Sequence, residues 1–242
     1  MLYVRSAVFQ LAFFGVLLSY MLACLPALVL PRRYARACIK SWARTNEWLL
    51  ARICGLKLEI RGGRNLPPGG ALVASKHQSA WETISFLHIL PTPAMVLKKE
   101  LLYLPFFGWY AMRAEHLWVD RSAGATALRG LMARARAALE QGRQIVIFPE
   151  GTRKAPGSAP DYRRGIVALY RDLKVPCVPV ALNSGLYWKR RDWKRRPGTI
   201  IVEFCEPIPP GLDGKTFLKT LETRIETATN ALVAEGSSPP PQ

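Results

Sequence analysis

Residues 71–89 read "ALVASKHQSAWETISFLHI". The opening run, Ala71 to Ser75, is short, small and apolar, as expected of a strand covered on both faces. Four residues on, Ser79-Ala80-Trp81-Glu82 has the S-x-x-E pattern that starts helices. The stretch therefore predicts a buried strand over 71–75 that passes through a brief loop into a helix over about 80–89. Working outward, the same alternation recurs. Strands are predicted at 56–60, 94–98, 116–119, 144–148, 177–182 and 199–204, and helices at 107–113, 124–140, 163–172 and 215–233. The glycine and proline clusters "GGRNLPPGG" and "KAPGSAP" punctuate them as loops. Strands alternating with helices predict an α/β fold: a mixed, mostly buried sheet flanked by helices.

The loop inside that first stretch carries a histidine, His77, with Glu82 five positions later. Five is not a spacing that shares one helix face, where three or four is. The two side chains can meet only if His77 precedes the helix and Glu82 points back from its first turn. Glu82 would then orient one imidazole nitrogen while the other faces a substrate hydroxyl, the arrangement of a general base. The bland alternative is a capping box, in which Glu82 merely satisfies the Ser79 backbone N–H. A carboxylate has two oxygens, so the readings are compatible.

Composition narrows the partners. The 242 residues carry 34 Lys+Arg against 17 Asp+Glu, a net charge of +17, which implies an anionic partner such as lipid or nucleic acid. The five cysteines contain no CxxC pair and no Cys/His cluster, which points away from a structural metal or disulfide framework. From Ser6 to Pro31 there is no charged residue. That run is long enough to cross a bilayer, although Pro26 equally permits a bent segment lying in one leaflet. Arg32, Arg33, Arg36, Lys40 and Arg44 follow at once and place the bulk of the protein on the cytoplasmic side, at the inner membrane if the source is bacterial. Residues 32–55 then read as an amphipathic helix at the interface. Residues 1–54 are thus expected to form membrane-anchoring helices, 55–234 an α/β domain, and 235–242, "EGSSPPPQ", a disordered tail.

Three further stretches follow predicted strands, where ligands collect in open α/β sheets. "LKKELLYLPFFGWY" (97–110) offers Lys98 and Lys99 to an anionic group beside an apolar wall. "IVIFPEGTRK" (145–154) drives a strand into a tight turn, and Arg153 is suited to bidentate phosphate binding. "VPCVPVALNSG" (175–185) is a proline-interrupted strand, read equally as a β-edge without chemistry or as a stretch whose side chains have a functional role. Farther on, "YWKRRDWKRR" (187–196) interleaves tryptophans with basic residues, as membrane-surface segments do. Single-strand nucleic-acid binding would use similar residues, but it leaves the N-terminal apolar run unexplained.

"KHQSAWE", "KKELLYLPFFGW", "FPEGTR" and "VPCVPVAL", in this order over residues 75–185, resemble the four blocks of the PlsC-type glycerolipid acyltransferases. The closest resemblance is to those acting on 1-acylglycerol 3-phosphate. It implies a glycerol-3-phosphate acyltransferase-like fold and transfer of a fatty acyl group to the sn-2 hydroxyl of lysophosphatidic acid, giving phosphatidic acid. The donor would be acyl-CoA or acyl carrier protein, with no other cofactor and no metal. On the resemblance, His77 is the base and Glu82 its orienting carboxylate. Substrate binding falls to Lys98, Lys99, Glu150, Gly151, Thr152 and Arg153. The family's usual second residue of the pair is Asp, and Glu82, one methylene longer, departs from it. Two other readings remain at this stage: a different lyso-lipid acceptor, or a non-catalytic anionic-lipid-binding protein of the same fold.

Overall fold

In the computed structural model, which describes residues 1–120 and 124–237, seven strands among the described residues form one mixed sheet. They are β1 (Leu56–Arg61), β2 (Ala71–Ser75), β3 (Pro93–Lys98), β4 (Leu117–Val119), β5 (Gln144–Ile147), β6 (Cys177–Leu182) and β7 (Gly198–Phe204). Their order across the sheet is β1-β7-β6-β2-β5-β3-β4. The five from β6 to β4 are parallel, whereas β7 lies antiparallel to β6 and carries β1 parallel to itself. Every strand end falls within one residue of its predicted position.

β2 shows why the sheet is buried on both faces. Ala71 and Val73 enter the core on one side, with Phe9, Leu49, Trp81 and Phe86. Leu72 and Ala74 enter the other, with Leu131, Ile166, Leu169 and Leu221. The first core lies under helices α1 (Leu2–Ala23), α2 (Arg32–Leu49) and α3 (Trp81–Ile89). α4 (Phe107–Arg113) follows β3. The second core lies under α5 (Gly124–Glu140), α6 (Gly165–Leu173) and α8 (Gly214–Ser237), while the single-turn α7 (Ser184–Tyr187) follows β6. α8 continues to Ser237, so residues 235–237 of the expected tail are helical; 238–242 lie outside the described residues.

This topology positions the site. β2 and β5 are neighbours, but α3 carries the chain from β2 past β5 to β3, and α6 carries it from β5 past β2 to β6. The two crossovers leave in opposite directions on opposite faces of the sheet. The carboxyl ends of β2 and β5 therefore open into a crevice at a topological switch point.

The N-terminal apolar run is helical, as expected, but one side of it is docked on the domain. Ser6 and Phe9 are buried, and Phe13 and Tyr20 continue the stripe at helical spacing. The Ser6 hydroxyl accepts the Arg195 backbone N–H at 2.9 Å. Phe9 meets Trp188 edge-on with ring centroids 5.9 Å apart, and the Tyr20 hydroxyl bonds Ser41 and Thr45, both at 2.9 Å. α2 is held in turn against α3, where Glu47 accepts from the Ser85 hydroxyl at 2.7 Å and the Trp81 indole at 3.4 Å. Its basic stripe faces partly inward: Arg32 and Arg36 both pair with Glu115, and the Lys40 ammonium reaches the Pro91 carbonyl at 3.2 Å. Packing of the helix on its own domain, rather than an interface with lipid, thus accounts for Arg36 and Lys40, while Trp48 stays exposed.

Candidate active site

β2 ends at Ser75, and the chain turns through Lys76-His77-Gln78 before α3 begins at Trp81. Glu82 sits in the first turn of α3 and points back, as the spacing requires. Its Oε1 lies 2.9 Å from His77 Nδ1. The same oxygen accepts the backbone N–H groups of Gln78 and Ser79, each at 2.7 Å. Oε2 accepts the hydroxyls of Ser79 and Ser184, each at 2.8 Å. Glu82 therefore caps the turn and meets the imidazole at once. The Ser79 hydroxyl completes the turn by accepting the Trp81 N–H at 2.9 Å.

Burial opposes ionisation of Glu82, but the hydrogen bonds it accepts from His77 and the Ser79 N–H outweigh it and hold the carboxyl below its ordinary value. An ionised carboxylate only accepts, so His77 carries its proton on Nδ1 and keeps Nε2 free as a proton acceptor. The imidazole stacks on Phe148 with ring centroids 4.1 Å apart and planes 20° from parallel, which fixes the ring.

The turn after β5 grips the same histidine by its backbone. Glu150 Oε2 accepts the His77 N–H at 3.3 Å, and the Lys154 N–H donates to the His77 carbonyl at 2.8 Å. Gly151 makes the turn with φ of 65°, a left-handed conformation that glycine adopts without strain. "KHQS" and "FPEGTR", 73 residues apart, thus form one structure.

A family model described as "Acyltransferase" matches residues 57–183, more than half of the chain. The chain belongs to the acyltransferase family. A Pseudomonas aeruginosa protein named 1-acyl-sn-glycerol-3-phosphate acyltransferase is 35% identical over 237 residues, 96% of this chain and 91% of that protein. The human 1-acyl-sn-glycerol-3-phosphate acyltransferase alpha is 28% identical over 158 residues, 64% of this chain and 55% of that protein. The fold is that of the crystallised 1-acyl-sn-glycerophosphate (LPA) acyltransferase PlsC of Thermotoga maritima. The TM-score is 0.81 at 21% identity, covering 98% of this chain and 100% of that one.

The other residues singled out in the acyltransferase sequence are distributed unevenly. Arg153 and Thr152 are half-buried on the turn beside His77. Arg153 also lines a cavity of about 220 Å³ that is otherwise almost wholly apolar. Thr83 and Ile84 of α3 border it, Leu17 and Met21 of α1 and Trp42 of α2 wall it, and His116 contributes one of its few polar groups. The Met95 N–H donates to His116 Nδ1 at 3.2 Å. Burial, with Arg143 and Arg36 nearby, pushes the His116 pKa down to about 3, so this imidazole is neutral at physiological pH.

Lys98 and Lys99, at the end of β3, are drawn onto neighbouring carboxylates: Lys98 pairs with Glu100 at 3.1 Å and Lys99 with Asp120 at 3.0 Å. Glu150 is turned inward with no exposed surface.

Three residues escaped sequence reading: Ser184, which donates to Glu82, and Lys76 and Glu226, which pair at 2.7 Å behind the His77 turn. Ser184 comes from the stretch whose functional and structural readings are equal, and nothing marks it except its place just past a strand. Lys76 gave a readable sign, because a lysine continuing a buried strand requires a buried anionic partner. Glu226, on α8, carries no sign at all.

Proposed function

We propose that this acyltransferase moves a fatty acyl group from a thioester to the sn-2 hydroxyl of 1-acylglycerol 3-phosphate, forming phosphatidate. The observation that carries the reading is the His77–Glu82 pair, held against the turn whose Arg153 lines an apolar cavity. His77 Nε2 takes the proton of the acceptor hydroxyl as its oxygen attacks the thioester carbonyl carbon. The tetrahedral intermediate then breaks its C–S bond, and the leaving thiolate recovers the proton from His77. A base so placed contributes about 10²–10⁴-fold, and holding the two reactants together contributes roughly 7–11 kcal/mol more. Arg153 is suited to the acceptor phosphate. The cavity suits an acyl chain, each buried methylene stabilising it by about 0.8 kcal/mol.

A panel of acceptors tests the assignment. Lysophosphatidate is expected to be acylated far faster than a phosphate-free lyso-lipid, and Arg153→Ala is expected to raise KM for lysophosphatidate about tenfold or more, given roughly 1.5–3 kcal/mol for a charge-assisted contact. An unchanged KM in that variant would remove Arg153 from the phosphate site.

The site meets its lipids at a membrane surface, with α1 lying along one leaflet rather than crossing it. Docking from Ser6 to Tyr20 covers one side of the helix and leaves Val4, Leu11, Phe14, Leu18 and Leu22 exposed on the other. A spanning helix would have to pull the domain into the hydrocarbon with it. α4 extends the apolar surface with Phe107, Trp109 and Met112, and the Tyr110 hydroxyl ties it to α1 through the Met21 carbonyl at 2.9 Å.

The basic loop adjoins the start of α1. Trp193 packs against Tyr3, and Lys194 lies 5.0 Å from the Tyr3 ring centre. The double change Leu11→Glu and Leu18→Glu is expected to abolish co-sedimentation with anionic vesicles while sparing turnover of detergent-dispersed substrate. Undiminished vesicle binding would contradict this placement of α1.

A further inference from the structure

We infer that Lys76 and Glu226 are positioning residues for His77, acting through the buried carboxylate of Glu150. The inference rests on the assignment of His77 as the base. Lys76 is 2% exposed, and its ammonium lies 2.9 Å from Glu150 Oε1 and 2.7 Å from Glu226 Oε1. The Tyr162 hydroxyl donates to the same Glu226 oxygen at 2.8 Å. The other oxygen of Glu150 accepts the His77 N–H. A continuous chain of polar contacts, Tyr162–Glu226–Lys76–Glu150–His77, therefore runs from α8 to the backbone of the base. Its members come from four separate parts of the fold: the end of β2, the turn after β5, the segment before α6, and α8.

The arrangement divides the fixing of His77 between two carboxylates. Glu82 orients the ring, and Glu150 holds the backbone that carries it. Glu150 has no exposed surface, so it cannot reach a substrate; its influence on the reaction passes through the peptide N–H it holds. An ionised acceptor holds that N–H more strongly than a neutral one.

The charge state of Glu150 depends on its neighbours. They are Lys76 and His77 on the β2–α3 segment, Glu226 on α8, and Tyr162, which also feels Glu222. Burial raises the Glu150 carboxyl above its ordinary value, Lys76 opposes that rise, and Glu226 adds to it. Lys76 therefore favours the ionised form of Glu150 and Glu226 opposes it.

The test compares kcat–pH profiles of Lys76→Met and Glu226→Gln with the unmodified enzyme, using lysophosphatidate and an acyl-CoA. Lys76→Met removes the cation, so Glu150 keeps its proton to higher pH. The acid limb of kcat is expected to move up, and kcat at neutral pH to fall up to about 10²-fold, the scale of a misplacement near 1 Å. KM for both substrates should stay nearly constant. Glu226→Gln removes the second anion while leaving Lys76 on Glu150, and its acid limb is expected to move down. It is close in shape to the native residue, so it keeps the comparison open should Lys76→Met fail to fold.

Limbs that move in the same direction, or do not move, would overturn the network. His77→Ala, measured alongside, separates the role of the base from that of the network. Activity retained there overturns the base assignment and the network's role with it. Activity lost there with both acid limbs unmoved overturns the network alone.

Discussion

Replacing His77 with alanine is expected to lower kcat about 10²–10⁴-fold, the contribution of a positioned general base, with KM for lysophosphatidate nearly unchanged. The imidazole is stacked on Phe148, bonded through Nδ1 to Glu82, and held by its own peptide N–H and carbonyl. So many constraints on one ring leave Nε2 as its only unengaged polar atom. The alanine variant keeps the backbone contacts to Glu150 and Lys154, so the fold around the site should survive. A thermal melt close to that of the parent, beside lost turnover, separates chemistry from stability. Near-parental turnover would mean that another group takes the proton.

Glu82→Gln is expected to cost more than Glu82→Asp, in both activity and stability. Glu82 accepts from two backbone N–H groups and two hydroxyls as well as from the imidazole. An amide has one accepting oxygen: its NH2 in the Oε1 position would face two backbone N–H groups and the imidazole, and in the Oε2 position would force both serine hydroxyls to turn and accept. A buried donor left without a partner costs about 1–3 kcal/mol, more when a charge is lost with it. Asp keeps the charge and shortens the reach by one methylene.

The Glu82 carboxyl is held below its ordinary value. Its ionised form therefore contributes stability that is fully present above the unfolded-state pKa near 4.3 and is lost as pH falls through the lower folded value. In Glu82→Gln that part of the acid dependence should vanish, so the gap in melting temperature between parent and variant should narrow as pH drops below about 4. Equal, near-parental rates for Gln and Asp would reduce Glu82 to a helix cap.

The strands were legible because each is a short apolar run bounded by glycine, proline or polar residues, a signal that survives without tertiary context. The His77–Glu82 meeting was legible from spacing, since five positions permits contact only across a helix start. α1 was legible as an apolar helix but not as a docked one. Every side of it is apolar, so the sequence does not distinguish the residues facing Trp188 and Trp42 from those facing outward.

The roles within "FPEGTR" divide by a feature invisible in sequence: after Gly151 the chain turns so that Glu150 faces inward while Arg153 reaches the cavity. Ser184 and Glu226 arrive from 102 and 150 residues beyond their partners Glu82 and Lys76, a distance at which no local pattern operates.

The most direct test of the account is product formation by the purified protein given lysophosphatidate with either an acyl-CoA or an acylated carrier protein. Phosphatidate newly acylated at sn-2 should accumulate with at least one donor and be reduced about 10²-fold or more in His77→Ala. Absence of phosphatidate with both donors, or equal amounts from the parent and His77→Ala, would contradict it.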